Sequence, residues 1–270
     1  MTCTCRFSPS LSIFGPPVRR PFQTGHLGGT GSRAGARIEP KEVNVEVADA
    51  RSAATDTLTP QLLRAGVAAA PLYILVGLVQ VLTREGFDVR RHALSLLSNG
   101  DLGWIQIASF ILSGLLVLAG AVGARRVLAG RGSTWGPLLL AVYGVGLIGS
   151  GIFVADPGLG FPPGTSAPEG GISRSGLLHF VFGAVAFYAL IAACFVFARR
   201  FAGLGRRGWA VYSIATGVGF FITFAGIASG STSPVAMLAF YFAVAWIWVW
   251  HSAVSVTLLR AATRTSPGAP

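Results

Sequence analysis

Two histidines and an aspartate, His92, Asp156 and His179, stand where apolar segments of the chain begin or end. Two imidazoles and a carboxylate are a sound ligand set for zinc, and a zinc ion so held activates water. One chemistry open to the chain is therefore intramembrane metal-dependent hydrolysis. No His-x-x-x-His pair or dense carboxylate cluster accompanies the three residues to set a coordination geometry. The second chemistry is recognition. Arg91, His92, Asp101, Gln106, Asp156 and His179 fall at similar depth along their segments, so together they can form a polar pocket for a lipid headgroup or small solute. Arg90, Arg91 and His92 suit a lipid phosphate, because a guanidinium contacts it through two parallel hydrogen bonds. Each residue also has a plain structural role. His179 can bond a loop carbonyl, Asp156-Pro-Gly158 fits a tight turn with Pro second and Gly third, and Glu85 and Asp88 can neutralise the arginines. Asp156 also follows a helix whose C-terminal dipole disfavours an anion, which calls for Arg90, Arg91, Arg174 or a metal beside it. A haem between His92 and His179 has no further support, and no cofactor is implied.

The elements that must carry these residues are membrane helices. Of 270 residues 52% are hydrophobic and 11% charged, with mean hydropathy +0.63. Soluble domains carry about a quarter charged residues, so this chain cannot coat a water-facing surface. Six apolar runs, near 62–82, 104–124, 137–155, 177–198, 209–229 and 235–259, each approach the roughly 20 residues that cross a bilayer. Gly- and Pro-rich breakers separate them. The fold class is all-α: a polytopic membrane protein with six transmembrane helices in one bundle over residues 61–260. A cytoplasmic tail follows at 261–270.

Residues 1–60 differ. They are rich in Pro, Gly, Ser and Arg, then acidic, and lack sustained periodicity. Such a stretch reads as a disordered cytoplasmic tail, or as an extension ahead of a later true start. Cys3 and Cys5 have no second ligand pair, and Cys194 lies inside an apolar run as packing. No disulfide framework is expected.

Net charge is +11, carried by arginines at the ends of apolar runs rather than along one face, which excludes a nucleic-acid partner. With the N-terminus inside, ten arginines flank the inner ends and four the outer loops. The positive-inside rule then places both termini in the cytoplasm of a cell with this protein in its inner (plasma) membrane. Membrane lipids are the expected partners, beside a small-molecule or lipid ligand, and no oligomeric state is assigned. Polar side chains within the spans gather toward the outer end: Gln80, Gln106, Ser109, Ser113, Ser150, His179, Thr223 and Tyr241. His179 shares a face with Gly183, Ala186, Leu190 and Ala193, so it points into the bundle. Transport is disfavoured, because no acid lies mid-membrane for ion coupling.

Four stretches carry a resemblance: Arg91-His-Ala-Leu-Ser-Leu-Leu-Ser98, Gly100-Asp-Leu-Gly-Trp-Ile-Gln106, Asp156-Pro-Gly-Leu-Gly-Phe-Pro-Pro-Gly-Thr165 and Gly176-Leu-Leu-His-Phe180. Over residues 62–260 the chain resembles a bacterial six-span family known as domain of unknown function 998. The resemblance implies a six-helix membrane protein, adds weight to His92, Asp101, Asp156 and His179, and implies no activity.

Overall fold

A computed structural model of the chain describes residues 57–166 and 168–264. The expected tail up to Asp56, with Cys3 and Cys5, and residues 265–270 lie outside the described residues. Six helices follow: α1 Leu58–Thr83, α2 Gly103–Val127, α3 Trp135–Ile152, α4 Arg174–Gly203, α5 Arg207–Ala228 and α6 Pro234–Arg264. A 3₁₀ turn, Leu94–Ser98, sits between α1 and α2. All six helices are long and apolar enough to cross a membrane, so the protein is a multi-pass membrane protein. α1 begins inside the expected tail, and α6 runs beyond residue 260 into the expected C-terminal one. α3 stops at Ile152 rather than 155, for a reason that belongs to the site below.

Each helix packs on its neighbours in sequence, and α6 returns to α1 and closes a ring. Successive helices alternate in direction, so the connections 84–102, 153–173 and 229–233 share one end, called here the lid end. Exposed tryptophans mark both levels: Trp104 starts α2 at the lid end and Trp135 starts α3 at the other, 65% and 64% exposed. That is the placement of aromatic belts at two membrane–water boundaries. Where α1 and α2 cross, Gly66 meets Gly120, and a Cβ on Gly120 would come within 2.7 Å of the Gly66 Cα. Small residues of this kind let helix backbones touch in a medium that offers no hydrophobic drive between helices.

Polar clasps add direction. Gln80 of α1 donates to the Gln106 side-chain oxygen of α2 at 2.7 Å. Trp250 and Trp246 of α6 donate to Ser213 and Thr216 of α5 at 3.0 and 3.1 Å. Arg200 of α4, buried, donates to the carbonyls of Ala129 and Arg131 at 2.7 and 2.8 Å, pinning the α2–α3 connection at the end opposite the lid.

The clasp that closes the ring starts from a proline. Pro71 sits inside α1 and has no N–H to offer the carbonyl four residues back, that of Val67. In hydrocarbon such a carbonyl must find another donor. Ser252 of α6 supplies it, Oγ to Val67 O at 2.8 Å. Removing the Ser252 hydroxyl is expected to cost about 1 kcal/mol, and much less where Pro71→Ala restores the missing amide. Steric-trapping unfolding of S252A, P71A and the double variant measures this coupling, and an equal loss in both backgrounds would refute the pairing.

Candidate functional site

The lid end is sewn together by side chains aimed at backbone. In the first connection His92 is buried and its Nδ1 accepts from the Asp88 N–H at 3.0 Å. The proton therefore resides on Nε2, which donates to the Leu159 carbonyl at 3.2 Å. Arg91 reaches the same carbonyl at 3.4 Å. Leu159 and Gly160 both have positive φ, 57° and 84°, and form the tip of a tight turn in which Gly158 and Phe161 exchange backbone hydrogen bonds. The turn thus lies two residues beyond the expected Asp156-Pro-Gly158. Asn99 donates to Ala155 O at 3.0 Å, and Tyr241 of α6 donates to His92 O at 2.7 Å.

Phe161 is the plug. Only 1% exposed, it packs edge-on against Phe87 at 5.1 Å and beside His92 at 5.5 Å, with the Arg84 guanidinium 5.3 Å from its ring centre. Arg84 also donates to the carbonyls of Leu97 and Asn99 at 3.0 and 2.6 Å. Burial lowers the Arg84 pKa while the Asp101 carboxylate raises it, and a guanidinium stays charged through such changes. Asp101 does not cap α2, whose first turn receives no side-chain bond; it serves as the nearby countercharge of Arg84. Arg90 pairs with Asp88 at 3.7 Å.

Asp156 has its partners on the next helix. One carboxylate oxygen accepts from the Ser173 N–H at 2.8 Å and the other from the Ser173 hydroxyl. That hydroxyl accepts from the Gly176 N–H at 3.0 Å and caps α4. Gly176 has no side chain because the Asp156 carboxylate fills the place of its Cβ. The expected conflict with the dipole at the end of α3 does not arise: α3 has already ended, and Asp156 lies at the positive N-terminal end of α4.

What ends α3 is His179. Its Nδ1 lies 3.0 Å from Ser150 O and 2.9 Å from Phe153 O, so it carries a proton and donates to two carbonyls that the last turn leaves without amides. Nε2 has no partner and is not sealed in by protein. The ring lines a cavity of about 510 Å³ under the lid. Phe110, Phe187, Phe224 and Phe240 form much of its wall, the 3₁₀ turn contributes Leu94 and Ser95, and no charged side chain among the described residues lines it. Among the described residues, four polar groups on the wall make no side-chain hydrogen bond to protein: His179 Nε2 and the hydroxyls of Tyr73, Ser95 and Ser150. Exposed Phe180, Ala228 at the end of α5 and Gly230 in the α5–α6 connection also border the cavity.

Of the six residues expected to share one pocket, only His179 lines this cavity. Arg91 and His92 hold the lid turn, Asp101 faces Arg84, Gln106 is buried against Gln80, and Asp156 holds the start of α4. The alternative metal set of His92, Asp156 and His179 is not brought together. Among the described residues no three His, Cys, Asp or Glu side chains form a metal-holding group. Tyr73 was missed by reasoning from sequence. Its signal is the spacing Gly66, Tyr73, Gly77, Gln80, which puts it on the buried face of α1.

The family model described as protein of unknown function (DUF998) matches residues 67–257, well over half of the chain. The chain belongs to the DUF998 family. No curated protein and no solved structure matches it. The DUF998 match spans every element that builds the lid and the cavity, from Tyr73 to Val244, and its description carries no activity.

Replacing Asp156 with Ala leaves the Ser173 amide and the α4 cap without their acceptor, a loss of about 1–3 kcal/mol. Hydrogen exchange at Ser173 to Gly176 should then rise sharply while that at the α1–α2 crossing holds. Unchanged protection at Ser173 would show that Asp156 does not anchor α4.

Proposed function

We propose that this protein binds a neutral, largely apolar molecule, lipid-like in character, in the cavity beneath the lid, and that its role is recognition rather than chemistry. The observation that carries this is the pairing of aromatic, uncharged walls with a few unpartnered polar groups, on Tyr73, Ser95, Ser150 and His179. Small-molecule sites have this make-up, mostly apolar with a few placed polar groups, and typical volumes of about 300–1,000 Å³ bracket this one. An ionised headgroup finds no countercharge on the wall, and burying it unpaired is costly. The arginines that suited a phosphate are spent on the lid backbone and on Asp88. Entry is from the bilayer, past Phe180 and Gly230, because the lid closes the route from water.

Gly183 offers the test. A Cβ there meets nothing closer than the Ser150 hydroxyl at 3.7 Å, so a larger side chain grows into the cavity without breaking a helix contact. Native mass spectrometry of the detergent-purified protein should show a retained neutral lipid in the wild type and its loss in Gly183→Leu, with unfolding temperature preserved. A wild type that carries nothing, including after incubation with neutral lipid extract, would defeat the proposal.

We also propose that the lid faces away from the cytoplasm, with both termini inside, on the balance of ten arginines to four. A fluorescent-protein fusion after Pro270 should glow and an alkaline phosphatase fusion there should be inactive. The opposite pattern would invert the orientation.

A further inference from the structure

We propose that the cavity selects ligands that present a hydroxyl donor, such as a long-chain alcohol, over ligands of equal shape that offer only acceptors; this rests on the cavity being a binding site. The selecting atom is His179 Nε2. Ser95, Ser150 and Tyr73 present hydroxyls, each able to donate or accept, so none discriminates between donor and acceptor ligands. His179 differs. Its Nδ1 proton is committed to the carbonyls of Ser150 and Phe153, which no rotation of the ring can release without uncapping α3. A neutral imidazole with Nδ1 protonated has a lone pair on Nε2 and nothing to donate. The ring is neutral because it is buried against apolar, largely aromatic walls, where a charged imidazolium is costly. His179 is 6% exposed, so what it exposes is turned to the cavity rather than to hydrocarbon. An ether, ester or ketone oxygen placed there meets another lone pair, and a hydroxyl meets its acceptor. The fixed tautomer thus converts a helix cap into a chemical filter.

The probes are 1-hexadecanol and hexadecyl methyl ether, which share a chain and differ in the donor. Binding of each to the full-length protein is measured by competition against a fluorescent long-chain alcohol in detergent. The wild type should prefer the alcohol by about tenfold. His179→Asn places an amide N–H near the position of Nδ1, keeping the α3 cap while removing Nε2. This variant should hold its unfolding temperature and bind both probes equally. Equal affinity of alcohol and ether for the wild type would overturn the donor filter yet leave the cavity as a binding site. Failure of both probes, together with a fluorescent alcohol that does not bind, would overturn the two together. A folded His179→Asn protein that keeps the wild-type preference would move the filter to another atom and refute this assignment.

Discussion

Backbone carbonyls that lack an amide partner organise this structure. In hydrocarbon each one must be met by protein, since water is not there to do it. Val67 loses its donor to Pro71 and obtains one from Ser252, which ties the last helix to the first. Ser150 and Phe153 lose theirs because α3 ends, and His179 meets both. Leu159 projects its carbonyl from the tip of a tight turn, and His92 and Arg91 hold it. Ala129 and Arg131 are held by Arg200 at the far end. Ring closure and the end of α3 rest on that requirement; the carbonyls of Leu159, Ala129 and Arg131 lie in connections at the ends of the bundle, where side chains hold them in place.

Satisfying backbone groups, amides as well as carbonyls, also leaves many polar side chains of this chain unavailable for chemistry. A residue such as His92 or Asp156 looks reactive from its type, yet both of its polar ends are used. His92 accepts with one nitrogen and donates with the other, and Asp156 has each oxygen on Ser173. His179 is the exception. A single nitrogen of its ring satisfies two carbonyls at once, and the other is left facing the cavity. Double use of one proton is what leaves a free functional atom.

Lid and cavity are mechanically linked. The segment 93–95 that follows His92 lines the cavity, and Tyr241, which also lines it, holds the His92 carbonyl. Leu94 occupies the space opened by Gly77 on α1. Phe161, from the other connection, packs beside His92 at the start of this segment. The two long lid connections therefore both bear on the roof of the cavity.

The membrane class, the six spans and their approximate limits were legible in composition and run length, because a bilayer imposes its thickness on any chain that crosses it. The inward face of α4 was legible as well: Ala186, Leu190 and Ala193 are fully buried, as the helical period requires. Local pattern sufficed for these features. What the polar residues do was decided only by tertiary structure. Asp156 was read against the helix before it, and its partner is the helix after it. Arg91, Asp101 and Gln106 were expected at one depth with His179, but depth leaves open the direction around each helix and the carbonyl or amide that waits there. Tyr73 and Ser150 became neighbours of His179 only when α1 and α3 took their places in the ring. Hydrogen-bond partners 26 to 185 residues apart create the lid, the clasp and the cavity, and no local spacing encodes a pairing between segments that meet only after each has folded.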